Sequence, residues 1–293
     1  MKNGVILAII SSLVFSVMNA LVKAVSMTIP VAEVAFFRSL IGTIFIYLMM
    51  RHSKVGFSTK GVPMLLIRGM LGALYLLAYF YTISKIPLAD ASILAHLSTV
   101  FVLILSALFL KEKISKQTFY VLPLVFLGAV LLVKPFHYSS YSIYALAGVL
   151  SALFAAGAAT SIRYLSKLHH SYEIVFYFLA TGVVVSIPLM WGNFVIPSPL
   201  ELFYLLCIGI VSLFGQIFLT KAFTHESVVV VEITRYIGIV FNVMWGFLFW
   251  TEVPDVYTVI GGLLIIASCC FLSMKKKKPA AVPAKQLKSS QAK

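Results

Sequence analysis

Val228-Val229-Val230-Val231-Glu232-Ile233-Thr234-Arg235-Tyr236 opens an apolar stretch that runs on to Trp250. The stretch is long enough to cross a bilayer, whose hydrocarbon core takes roughly 20 residues of helix. A carboxylate and a guanidinium stand three residues apart near one end. Helix positions i and i+3 share a face, so the two can meet. A charge at membrane depth is costly unless it is paired or faces a cavity. The rest of the chain reads as the scaffold around this pair.

The composition agrees. Of 293 residues 61% are apolar and only 11% charged, against about 25% charged in a soluble domain. Mean hydropathy is +1.03. No water-soluble core can hide this much apolar sequence, so the class is polytopic membrane protein. Nucleic acid is a poor partner for the net charge of +14, because the basic residues lie between the apolar runs and in the tail. Cys207, Cys269 and Cys270 all sit inside apolar runs without CxxC spacing, so they carry no redox or metal signal. Lys2 followed by an apolar run from Val5 resembles a signal peptide. The run continues to about Val22 without a small-residue cleavage site, which favours a first membrane span.

Apolar segments fall at 4–22, 31–50, 63–83, 88–110, 117–134, 142–162, 172–191, 200–221, 227–250 and 256–274. Pro30, Pro87, Pro197, Pro199 and Pro254 stand at or next to helix starts, where a missing N–H is tolerated. Ser115 and Asp255 are candidate caps. With the N-terminus inside, Lys2, Arg51, Lys54, Lys60, Lys111, Lys113, Lys116, Arg163, Lys167, Lys221 and Lys275 to Lys278 are internal. Only Lys23, Lys85 and Lys134 are external. Arg68, near the start of the third span, joins the inner set. This asymmetry predicts both termini in the cytoplasm. The basic tail, 275–293, has no apolar periodicity and is expected to be a disordered extension.

A shift of 140 residues aligns Glu33 with Glu173, Lys23 with Arg163, Gly42 with Gly182, Gly69 with Gly209 and Glu112 with Glu252. One register holds from the first span to the last. The predicted fold is therefore an all-α integral membrane protein of ten transmembrane helices, as two five-helix units at 1–136 and 137–274. Five is odd, so the second unit enters the membrane from the opposite side. An inverted-topology repeat of this kind is the architecture of secondary transporters, which bind solute near the midplane.

The phrases Phe36-Phe37-Arg38, Tyr81-Thr82-Ile83-Ser84-Lys85-Ile86-Pro87-Leu88-Ala89-Asp90-Ala91 and Leu110-Lys111-Glu112-Lys113 carry a family resemblance. Over about residues 4–274 the chain resembles the EamA type of the drug/metabolite transporter superfamily. The resemblance implies a basket of spans 1–4 and 6–9 around a central cavity, with spans 5 and 10 peripheral. It implies a small-metabolite substrate without choosing one. The second half departs from the pattern: it reads Trp250-Thr251-Glu252-Val253-Pro254, without the flanking lysines.

Glu232 and Arg235 are the leading solute-binding candidates, with a structural ion pair and a simple interfacial position as the other readings. Tyr236, His96, Asn19, Tyr75, Tyr79 and Gln216 complete the candidate binding set. Asn19 shares a stripe with Phe15 and Lys23, Tyr75 with Tyr79, and Gln216 with Thr220. Each stripe alone also fits helix packing. Arg38 and Glu33 are assigned a structural or gating role. The run Ala155-Ala156-Gly157-Ala158-Ala159 reads as close packing or as a moving surface. No nucleophile–base set, metal cluster or cofactor motif occurs, so an enzyme is disfavoured. The expected partners are a small-molecule solute, the lipid bilayer and protons as a coupling ion through Glu232 or His96, in a bacterial inner membrane. The oligomeric state is not legible. An amino acid or related nitrogenous or anionic metabolite is the leading substrate class. A larger vitamin or nucleotide-linked compound, such as riboflavin or S-adenosylmethionine, is the alternative, and a non-transporting scaffold or sensor is the reading from a different class.

Overall fold

The computed structural model describes residues 2–109, 123–124, 126–131, 140–226 and 228–274. These form α1 (Lys2–Val25), α2 (Val31–His52), α3 (Val62–Lys85), α4 (Leu88–His96), α5 (Ser98–Phe109), α6 (Ser140–Leu165), α7 (Ser171–Met190), α8 (Pro199–His225), α9 (Val228–Thr234), α10 (Ile237–Trp250) and α11 (Val256–Met274). A further helical stretch covers 126–131. No strand occurs among the described residues. Most of the expected fifth span, the Leu110-Lys111-Glu112-Lys113 phrase, Ser115, Lys116, Lys134 and the basic tail lie outside the described residues.

Local chemistry sets the helix starts. Ser198 and Glu201 form a reciprocal capping box at α8, with Pro199 as its first residue. Asp255 accepts the Thr258 N–H at 2.8 Å, as expected of a cap on α11. Gly61 takes φ +76°, the left-handed region where glycine pays no Cβ penalty, just before α3.

Among the described residues seven segments are long and apolar enough to cross a membrane, Val230–Trp250 counting as one of them across its break. The apolar helices at Leu88–Val102 and Val256–Ser268 are shorter. Large apolar side chains such as Phe203, Val184 and Leu263 are well exposed, as expected where lipid replaces water outside the bundle.

The two expected continuous spans at 88–110 and 227–250 are each broken. α4 gives way to α5 at Leu97, and α9 to α10 at Arg235 and Tyr236. At both breaks the ladder tightens to i→i+3 bonds: Leu97 N–H to Leu94 O, Val100 N–H to Leu97 O, Gly238 N–H to Arg235 O and Ile239 N–H to Tyr236 O. The sequence holds no proline at these points, and only the second break has a glycine, Gly238, within its tightened turn. The break on α4 is instead accompanied by a His96 ring nitrogen that reaches the Ser92 carbonyl of its own helix.

The helices pair across the two halves. α1 packs along α8, α6 along α3, and α2 along α7. α1 begins with Gly4 against Glu226 and ends with Lys23 donating to the Ile86 carbonyl at 3.1 Å. α6 begins with Tyr144 beneath Lys85 and ends with Arg163 donating to the Phe223 and Glu226 carbonyls. Lys23 and Arg163 thus do the same job at opposite ends of the bundle, on carbonyls that are themselves 140 residues apart. Lys23 also forms an ion pair with Glu252, which accepts the Leu88 N–H at 2.9 Å. α11 stays outside this ring, against α4 and α9.

Glu33 and Glu173 are both buried and both hold a loop of the other half. Glu33 accepts the Val195 N–H at 3.0 Å, and Glu173 accepts the Ser58 N–H at 2.8 Å. Gly69 lets α3 and α7 meet. A Cβ there would stand 2.3 Å from Thr181 Oγ1 and 2.9 Å from the Tyr177 carbonyl oxygen. Gly69→Val should therefore lower the melting temperature in detergent, by an amount equivalent to about 1–3 kcal/mol of overpacking. Thermal unfolding followed by circular dichroism measures it, and an unchanged midpoint would mean that α3 and α7 do not pack this closely.

Candidate functional site

A central cavity is enclosed by every helix from α1 to α10 and by none of α11. It comprises about 950 Å³ of space unfilled by protein, its open mouth included. The basket implied by the family resemblance is thus present among the described residues.

Part of the lining is polar. On α9, Glu232 is 2% exposed and holds Arg235 by bonds from Arg235 Nη1 to Oε1 at 3.0 Å and Oε2 at 3.2 Å. The pair is local to one turn, as its spacing implied, and it faces the cavity rather than an interface. The other half does reach this turn, through His96: its Nε2 lies 3.0 Å from the Arg235 carbonyl oxygen and its Nδ1 2.7 Å from that of Ser92. A neutral imidazole can donate to only one of the two, whereas a protonated ring satisfies both.

Asn19 of α1 donates through Nδ2 to the Tyr79 hydroxyl at 3.0 Å and to Asn242 Oδ1 at 3.1 Å. Asn242 in turn donates to Ser92 Oγ at 3.1 Å and the Gly238 carbonyl at 2.8 Å. This network ties α1, α3, α4 and α10 together at the level of the breaks. Tyr75 and Tyr79 stack with ring centroids 5.6 Å apart and planes 16° apart. Gln216 of α8 also lines the cavity. The lining also has apolar groups: Ala155, Ala158, Ala159 and Ile162 of α6, Leu219 and Phe223 of α8, and Phe178 of α7. The small-residue run on α6 thus does two things. Ala156 and Gly157 pack inward or against Leu71, while its other alanines leave room for the cavity.

The structure changes the placement of Tyr236 and Arg68. Tyr236 does not line the cavity; it is buried behind it, its ring 5.1 Å from that of His96. Glu33 stands away from the cavity and anchors a loop, a structural task. Arg38 is buried at the cavity wall. Arg68 does not belong with the surface cations: it is 3% exposed and also lines the cavity. The signal for Arg68 was present in its setting, Leu65-Leu66-Ile67-Arg68-Gly69-Met70, where both flanks are apolar. Asn242, a lone amide in the apolar run of α10, was missed for want of any charged neighbour.

Helices long and apolar enough to cross a membrane, two of them interrupted, around a central cavity fit a multi-pass membrane transporter. The sequence profile of the EamA-like transporter family matches residues 2–134 and again 142–274, and the chain belongs to that family. It is 61% identical over 278 residues to the pseudopaline exporter CntI of Pseudomonas aeruginosa, covering 94% of this chain and 98% of the other. It is 29% identical to the human solute carrier family 35 member G1, covering 93% and 79% of the two chains. It is 26% identical to an S-adenosylmethionine uptake transporter of Rickettsia prowazekii, covering 94% of each chain. A solved structure 16% identical in sequence superposes with a TM-score of 0.67 over 95% of this chain and all of the other, which supports the fold.

Removing the carboxylate of the Glu232–Arg235 pair leaves a partly buried cation without its carboxylate, a change that costs less than the roughly 3–5 kcal/mol of a fully buried pair. Glu232→Gln should destabilise the purified protein more than the double change Glu232→Gln with Arg235→Met. A double-mutant cycle on thermal unfolding reads this order, and additive losses would mean that the pair carries no coupling.

Proposed function

We propose that the protein is a secondary carrier that exports pseudopaline or a close chemical relative of it by alternating access. The observation that carries this reading is the 61% identity with the pseudopaline exporter over nearly the whole of both chains. Glu232, Arg235, Asn19, Tyr75, Tyr79, Gln216 and His96 line one cavity, and this supports a small polar solute with nitrogenous or anionic groups. An amino acid is a narrower member of the same class.

The two family matches, offset by 140 residues, and the exchanged roles of Lys23 and Arg163 support a ten-helix inverted repeat with units at 1–136 and 137–274. In this reading the units rock about the broken helices, and differential affinity of the solute for the two states sets transport. The distribution of lysine and arginine supports an inner-membrane location with both termini cytoplasmic. Glu232 and His96 are the groups proposed for proton coupling, since a carboxyl and an imidazole can each carry a proton and both face the cavity.

Everted membrane vesicles containing the protein should accumulate pseudopaline, and vesicles without it should not. Arg235→Ala should lower the initial rate per molecule of inserted protein by about tenfold or more, the loss of a charge-assisted contact. Folded protein that fails to move pseudopaline would overturn the reading. Uptake of S-adenosylmethionine in its place would favour the cofactor-like alternative, which the relationship to the Rickettsia transporter supports.

A further inference from the structure

Arg38 and Arg68 are the largest unbalanced feature of the cavity. Both are buried, at 2% and 3% exposure, and both line it. The Nε and Nη1 atoms of each find no hydrogen-bond acceptor among the described residues. Their guanidinium carbons lie 5.4 and 4.7 Å from the centre of one ring, that of Phe178, so they share one patch of wall. Arg38 also stands 6.0 Å from the Phe80 ring. Ring faces attract a cation but do not neutralise it. The cavity's one lining carboxylate among the described residues, Glu232, already has both oxygens on Arg235. Three guanidiniums therefore face one carboxylate, leaving two positive charges uncompensated in a low-dielectric site.

The scaffold does not need these charges. By the 140-residue register Arg38 corresponds to Phe178 and Arg68 to Ile208, so the other half carries apolar groups at the equivalent positions. Close packing even makes room for one of them. Gly72 lies one turn beyond Arg68, and a Cβ there would stand 2.2 Å from Arg68 Nη1. A buried cation with free donors is stable only beside a counter-charge, and the planar guanidinium fork matches a carboxylate.

We propose that Arg38 and Arg68 form an anion subsite for an organic solute carrying at least two carboxylates, one on each guanidinium, with the carbon body against the alanine-lined wall of α6. This rests on the carrier reading and narrows its substrate class to net-anionic solutes. Neither the pair nor the subsite requires a metal or a covalent step.

The test uses full-length protein in nanodiscs and measures binding by isothermal titration. The probes are N-benzoylglutamate with two carboxylates, N-benzoylglutamine with one, and phenyl phosphate. The dicarboxylate should bind wild-type protein at least tenfold more tightly than the monocarboxylate. Arg38→Gln and Arg68→Gln should each abolish that preference, and Arg38→Lys, which keeps the charge without the fork, should retain part of it. Equal binding of the two acyl amino acids by wild-type protein, or no binding of either, would overturn the proposal without recourse to variants. A preference that survives in variants with an unchanged melting curve would do the same. Tighter binding of phenyl phosphate than of the dicarboxylate would overturn the carboxylate assignment. A clear dicarboxylate preference in protein that moves no solute in vesicles would uphold the subsite and sink the carrier reading, so the two failures are distinguishable.

Discussion

Two helices that cross the middle of the bundle are each interrupted, and the polar backbone freed there has to be satisfied without water. His96 meets much of that constraint. Its ring bridges a carbonyl of its own helix and the carbonyl of Arg235 at the other break, and it packs on Tyr236, which occupies the matching position 140 residues on. Irregular backbone at this depth is tolerated only where protein or a cavity covers it. The cavity, the paired breaks and the Asn19–Asn242 network are therefore one arrangement. Loss of any part would expose unsatisfied backbone.

Around this centre the duplicated elements carry packing and the unduplicated ones carry polarity. Glu33 and Glu173 tether loops, and Lys23 and Arg163 tie helix ends, in matching ways at the two ends of the bundle. In the cavity wall the correspondence fails. Arg38 answers to Phe178, Arg235 to Ala95, Glu232 to Ser92 and Asn19 to Ala159. The result is a chamber lined by charged and amidic groups and by small apolar ones. A solute with both a polar and a carbon face fits such a chamber, and a symmetric scaffold alone would not make one.

Much of this was legible along the chain. Mean hydropathy and the spacing of prolines placed the membrane-crossing segments, because lipid admits few charges and helices start where an N–H is dispensable. The Glu232–Arg235 pair was legible because i,i+3 contact is a local property of a helix. The breaks were not, since neither carries proline and the His96 ring that reaches the carbonyls at both belongs to one of them only. Arg38 was assigned a structural or gating role and Arg68 to the surface cations, since nothing in a single span says whether an arginine points to lipid, to the interface or to a cavity.

The sequence by itself determined the class of protein, the register of its spans and the chemistry available within them, because hydropathy and helix periodicity are properties of neighbouring residues. Only the tertiary structure decided which charges share a cavity, that Tyr236 turns away while Arg68 turns in, and that two guanidiniums stand without a carboxylate. Those facts depend on how helices distant in sequence cross, and crossing is set by close contacts such as Gly69 on Tyr177 and Gly72 on Phe178.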